Sequence, residues 1–271
     1  MADWLLSNEQ TIRLVSYAGV MGVMLLLEAV FARRNRTAPR LHRWINNLGI
    51  AALNSVLLGL LVPVLAVGMA MIAADRGWGL FNLVALPVWV EVTLAIILLD
   101  FAIWAQHVIF HKVPPLWRLH AMHHVDRDLD ATSGVRFHPV EILLSMLLKL
   151  GLVLVIGPAA VAVMLFEVIL NASAIFNHAN LRLPRTVDAV LRTVIVTPDM
   201  HRIHHSPNVI ETDSNYGFWL SFWDRLWGTY RAQPLQDHEN MALGLDEAPE
   251  LDDTLYLKMV TLPLWLGRDK G

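Results

Sequence analysis

Asp100–His124 reads DFAIWAQHVIFHKVPPLWRLHAMHH, an apolar segment that runs directly into five histidines. His107 and His111 are four apart, and His120, His123 and His124 stand at i, i+3 and i+4, so on a helix each set shares one face. Further along, TPDMHRIHHS repeats the second spacing with His201, His204 and His205. Composition alone gives a His-x-x-His-His triplet in roughly one chain in forty, so two such triplets are signal. Three imidazoles on one helical face also make a poor core, because each ring carries nitrogens that need partners. These eight histidines are candidate metal ligands.

The rest of the chain is apolar. Of 271 residues 55% are hydrophobic and 17% charged, which predicts an all-α, integral-membrane bundle of about four to five inserted helices rather than a soluble domain. One domain over residues 1–271 suffices, with a histidine-box core at about 91–230 and an interfacial tail at 231–271. The net charge of −3 is small and evenly spread, which gives no reason to expect nucleic acid as a partner. The absence of cysteine excludes disulfides, thiolate-held iron–sulfur clusters and cysteine nucleophiles within these residues. Electrons for any redox step must come from outside them.

MADWLLSNEQTIR lacks the basic start of a cleaved signal, so the first apolar run, Leu14–Ala32, is expected to stay as a span, with Glu28 close enough to its end to reach the interface. Arg33, Arg34, Arg36, Arg40 and Arg43 follow it, which by the positive-inside rule makes that loop cytoplasmic. Leu48–Ala74 is the second span, with Pro63 as a kink, and the third runs from Pro87 to His111. Residues 142–176 are broken by Gly157-Pro158 into two short helices of a hairpin, either re-entrant or in a locally thinned bilayer. On this count every histidine motif lies on the cytoplasmic side, in a helical cap. The aromatic stretch NYGFWLSFWDRLWGTY suits either a headgroup-level layer or a core under the metal site, and Leu255–Leu266, interrupted by Pro263, suits an interfacial lid.

Eight histidines are too many for one ion, since a structural zinc takes four ligands and a catalytic zinc about three and a water. Two metals with four or five imidazoles each is the natural reading, and imidazole suits iron, which in an open pair can reduce dioxygen. A neutral imidazole shell leaves the ions' charge to be offset nearby. Asp100, on the face of His107 and His111, is the leading candidate for that role or else satisfies a neighbouring helix. Asp199, Asp224 and Glu141 are weaker candidates that could equally cap helices or pair with arginines.

DFAIWAQHVIFH, WRLHAMHH, FNHAN, TPDMHRIHHS and WDRLWGTY, in this order over about Glu91–Tyr230, resemble the fatty acid hydroxylase superfamily, also called the sterol desaturase family. The resemblance implies a membrane-embedded di-iron oxygenase that uses two iron ions, dioxygen and external electrons to hydroxylate or desaturate a lipid: fatty acyl, sterol or another isoprenoid lipid. It implies as ligands His107, His111, His120, His123, His124, His201, His204 and His205. It adds His178 of FNHAN, with Asn180 placed to orient that ring. Some relatives carry a further histidine where this chain has Ala174. His138 of RFHPVE fits either an outer-shell role or a structural turn, and His42 and His238 are read as unliganded. The implied chemistry is oxygen activation, hydrogen abstraction from a carbon, and then hydroxyl return or loss of a second hydrogen. A ferredoxin, rubredoxin or cytochrome-type donor with its reductase is the implied partner. The implied location is a multi-pass membrane protein, in a bacterium the inner membrane, and a groove lined by the third span and the tryptophan-rich region is the expected substrate path. A membrane zinc hydrolase and a non-catalytic metal-binding protein are the competing readings.

Overall fold

Apolar runs become helices wherever Gly or Pro does not interrupt them. The structure, a computed structural model, describes residues 2–246, 248 and 256–266, and among these there is no strand, only isolated bridges such as Ala32 with Leu181. A short α1 (Ala2–Ser7) leads into α2 (Glu9–Val30), followed by α3 (Arg40–Leu61), α4 (Ala66–Arg76) and the single turn α5 (Leu80–Leu83). Next come α6 (Val88–Lys112), α7 (Pro114–His124), a 3-10 turn at Ala131–Val135, and the hairpin of α8 (Pro139–Ile156) and α9 (Ala160–His178). Short helices complete the cap: α10 (Arg185–Leu191), α11 (Pro198–His204), α12 (Val209–Thr212), α13 (Phe222–Leu226) and α14 (Tyr256–Trp265).

Among the described residues five segments are long and apolar enough to cross a membrane: α2, the stretch from α3 through α5, α6, α8 and α9. The α3–α4 segment is broken at Pro63, as its sequence predicts, because proline has no N–H to continue the ladder. It begins earlier than Leu48, however. Its first turns carry the buried Arg43, Asn46 and Asn47 up into the cap, where Arg43 and Asn47 make polar contacts that hydropathy does not register.

The α8–α9 hairpin is as deep as its neighbours. Asn82 Nδ2 donates to Gly157 O (3.2 Å) and Ala159 N donates to Glu91 Oε1 (2.8 Å), so the hairpin turn meets α5 and the start of α6. Gly79 and Gly157 both have positive φ, and a Cβ on Gly79 would lie 2.3 Å from Gly157 N, so this crossing requires glycine. At 18 residues α8 spans about 27 Å, which with local tilt or thinning matches a bilayer core. Trp4, Trp78 and Trp89, all exposed, mark this end as an interfacial aromatic belt.

At the other end the arginines after α2 are consumed by structure. Arg33 pairs with Asp199 and Glu239, Arg36 with Glu28, and Arg34 Nη1 donates to His238 O. Arg43, buried, reaches Asp126 (2.7 Å) and Asp130 (2.6 Å). Burial opposes ionisation of Asp126, but Arg43 and Arg136 outweigh it and hold the carboxyl well below the usual range. Glu28 does not reach the interface: it is 1% exposed and accepts from Ala131 N and Asn180 N, joining α2 to the two loops beside the histidines. The tail helix α14 is part of the cap's core, with Met259, Leu262 and Leu266 packed on Trp117, Met122 and Val125 of the α7 region. Residues 247, 249–255 and 267–271 of the expected tail lie outside the described residues.

Arg43→Met should leave Asp126 and Asp130 without their common cation, at a cost of about 3–5 kcal/mol. Thermal unfolding of the detergent-solubilised protein measures it, and a variant that melts with the wild type contradicts this account of the cap.

Candidate metal centre

α6 delivers His107 and His111 at its last turns, α7 delivers His120, His123 and His124, α9 ends on His178, and α11 with the residue after it supplies His201, His204 and His205. Prolines start α7 and α11 at positions where no N–H is needed, which fixes where each histidine spacing begins. The four segments bring the rings into two buried groups: His107, His111, His120, His124 and His204 in one, and His123, His178, His201 and His205 in the other. Within each group the ligand nitrogens lie within 4.8 Å of one another. His42 is exposed, and His238 lies beside Asp199, outside both groups. His138 caps α8 by accepting from Val140 N, and its Nε2 faces Val260 O, so it is a structural turn.

The tautomers follow from the partners. His107 Nδ1 is 2.7 Å from Tyr216 O, His204 Nδ1 2.7 Å from Ser214 O, His123 Nδ1 3.1 Å from Arg136 O and His178 Nδ1 2.6 Å from Ala174 O. A carbonyl only accepts, so each Nδ1 carries the proton and each neutral ring turns a bare lone pair on Nε2 toward the centre. Yet His107 Nε2 is 3.0 Å from His204 Nε2, and His123 Nε2 is 2.9 Å from His178 Nε2. Two lone pairs at that distance repel unless a cation lies between them.

Protonating the rings is no remedy, because burial first, and then the neighbouring imidazoles, push His123, His124, His201 and His205 well below the ordinary histidine range. A metal ion is. With metal–nitrogen bonds of about 2.1 Å, nitrogens 2.9–3.3 Å apart subtend about 87–104°. Both nitrogens of His124, a member of the first group, are buried without a protein hydrogen-bond partner, as expected of a donor set built for a cation.

Beyond the rings, the carboxylate that bonds a histidine is Glu141, whose Oε1 accepts from His120 Nδ1 at 2.6 Å. Asp213 Oδ1 lies 3.6 Å from His111 Nδ1 and pairs through Oδ2 with Lys112. Asp100, the expected acid, instead takes Trp223 Nε1 (2.9 Å) and Leu220 N, while Trp104 Nε1 donates to Asp224 (3.1 Å). This crossed pair of indole–carboxylate bonds docks the closing aromatic motif on α6. Asp224 also accepts from Tyr216 N, Gly217 N and Thr229 Oγ1, which places the Tyr216 carbonyl that orients His107. Asn215, at positive φ, donates to Met200 O and Arg231 O and so aims the neighbouring Ser214 carbonyl at His204. Asn180 does not orient His178, which is held by Ala174 O; its side chain clamps the Arg34 backbone from both sides. Gly134 lets the chain pass this point, since a Cβ there would stand 2.3 Å from Ala174 O.

A cavity of about 890 Å³ opens onto the first histidine group, with His107 and His120 in its wall beside Phe110, Phe137 and Glu141. It lies among α2, α3, α6, α8 and α9; the third span lines it as expected, while the tryptophan-rich segment contributes Phe218 alone. The indole-bearing face of α6 is already covered by Trp227, which stacks on Phe101 and Trp104, and by Trp223, tilted against Phe101.

The model of the fatty acid hydroxylase family matches residues 92–229, and the chain belongs to that family. It is 29% identical over 148 residues to an ornithine lipid hydroxylase of Rhizobium tropici, covering 55% of this chain and 44% of that protein. Alkylglycerol monooxygenases match too: the Homo sapiens protein at 29% identity over 54% of this chain and 31% of its own length, and the Xenopus tropicalis protein at 26% over 82% and 48%. The chain thus spans less than half the length of these curated relatives. No solved structure matches it.

Metal analysis of purified protein should find two ions per chain. His204→Ala and His178→Ala, one from each group, should each lose about half of the metal, and Glu141→Gln should weaken binding by about 10–100-fold. His42→Ala should leave the content unchanged; equal content in all four variants contradicts the assignment.

Proposed function

We propose that this protein is a membrane-bound di-iron oxygenase that hydroxylates or desaturates a lipid drawn from the bilayer. The observation that carries the reading is the pair of lone-pair contacts, His107 with His204 and His123 with His178, beside a largely apolar cavity in the membrane-inserted part. The lipid-oxygenase relatives support it, as does the neutral imidazole donor set, which suits iron.

On this reading the nine grouped histidines hold two iron ions, which supply dioxygen activation and attack on a C–H bond. The chain's own residues do the rest. Glu141 fixes the His120 ring, and the carbonyls of Tyr216, Ser214, Arg136 and Ala174 fix four more, so that little reorganisation is left at reaction. Phe137, stacked 4.4 Å from His123, and Phe110 and Phe218 keep water from the face where the substrate lies. Asp100 and Asn180 act as positioning residues, through Trp223 and the Arg34 backbone. The absence of cysteine calls for an external electron donor, of ferredoxin, rubredoxin or cytochrome type with its reductase. The histidine cap faces the cytoplasm, the side on which such donors circulate.

Lipid extracts of cells expressing the wild type should contain a species with one added hydroxyl or double bond, absent with His204→Ala, and its formation should need oxygen and iron. Full activity of a zinc-only preparation without oxygen would instead identify a hydrolase. In sealed, oriented vesicles a single cysteine at Arg127 should be labelled from the cytoplasmic side and one at Asp75 from the opposite side; the reverse pattern contradicts the proposed orientation.

A further inference from the structure

The cavity's far end is charged although it lies within the membrane-inserted part. Arg13 of α2 and Lys149 of α8 both bind Glu167 of α9, the lysine at 2.6 Å, and all three line the cavity wall. Ionisable groups at such depth are costly and usually mark function. At the wall Arg13 and Lys149 share one carboxylate, Glu167, and Glu9 balances the remaining charge from outside the wall. A guanidinium has five N–H donors and an ammonium three, more than Glu167 and Glu9 take up. Gln10 and Asn171 line the cavity beside them, adding neutral hydrogen-bonding groups. From Lys149 to Glu141, the partner of His120, α8 rises about 12 Å, and from Glu167 to His178 α9 rises about 16 Å. Between these two ends the wall is mostly apolar, with Leu58, Ile103, Ile142 and Leu170, and is interrupted by Asn54, Ser55 and the hydrogen-bonded pair Gln106 and Ser145.

We propose that Arg13 and Lys149, bridged by Glu167, form a subsite for the anionic head, carboxylate or phosphate, of a single-chain amphiphile whose hydrocarbon chain runs along the cavity to the histidines. The head anchors the molecule, and the length of the apolar stretch selects the carbon that reaches the metal end. The inference relies on the oxygenase reading only for what happens at that carbon; binding at the charged end needs no metal.

The test is photolabelling of the full chain in lipid nanodiscs by a fatty acid bearing a mid-chain diazirine, with labelled residues mapped by mass spectrometry. Labels are expected on cavity residues, competed by oleate or by oleoyl lysophosphatidate; the stronger competitor tells a carboxylate from a phosphate head. Oleyl alcohol, without the charge, should compete about tenfold more weakly, and Lys149→Met should lower labelling about tenfold, the worth of one charge-assisted hydrogen bond. Lys149→Arg should retain labelling, which separates lost charge from lost fold. Labelling should survive in His204→Ala, so a failed oxygenase assay and a failed subsite are distinguishable. Equal competition by the alcohol, or unchanged labelling of Lys149→Met, overturns the proposal.

Discussion

The structure depends on one electrostatic conflict: imidazole lone pairs aimed at each other across about 3 Å in a fully buried space. Four of the rings cannot escape it by changing tautomer, because their other nitrogen already donates to a backbone carbonyl. Nor can they gain a proton cheaply where burial opposes the charge. A divalent cation turns the repulsion into coordination, so a large part of the cap's stability is expected to arrive with the metal. The helices are arranged accordingly, with α6, α7, α9 and α11 all ending or beginning at the same place.

Such a site has to be held rigid at the end of a helical bundle, and the cap does this with buried polar groups. Arg43 ties α3 to the loop after α7 through Asp126 and Asp130, Glu28 ties α2 to the loops carrying Ala131 and Asn180, and Asp224 gathers the closing motif around the Tyr216 carbonyl. Each is a charge removed from water and offset by several hydrogen-bond partners, acceptors for Arg43 and donors for Glu28 and Asp224, which makes them sensitive to loss of a single partner. The apolar faces of the spans are far less demanding. Exposed Leu14, Leu60, Leu98 and Leu147 meet lipid as readily as protein.

The sequence made the helices and the histidines legible for the same reason: both leave periodic traces. Apolar runs, Pro63 and Gly157-Pro158 locate the spans and their breaks, and the i, i+3, i+4 spacings locate the ligand faces. What orients the rings was not legible, because the orienting groups are mostly backbone carbonyls, and every residue has one. Asp100 shares a helical face with His107 and His111, but helix geometry says nothing about Trp223 arriving from 123 residues away to claim it. Glu141 sits one helix on from its histidine, and its role needs the α7–α8 packing to be seen. Counting arginines after α2 likewise could not register that most of them are bound to the cap. A signal was available for the cavity's charged end, since Lys149 interrupts an otherwise apolar helix, but only the fold supplies its partners.

The central claim, that two histidine groups each enclose a metal ion, is tested most directly by anomalous diffraction at the iron edge from crystals of the iron-loaded protein. Two peaks are predicted, one amid Nε2 of His107, His120 and His204 and the other amid Nε2 of His123, His178, His201 and His205, each about 2.1 Å from its nitrogens. A single peak, or two peaks away from these nitrogens, would contradict it.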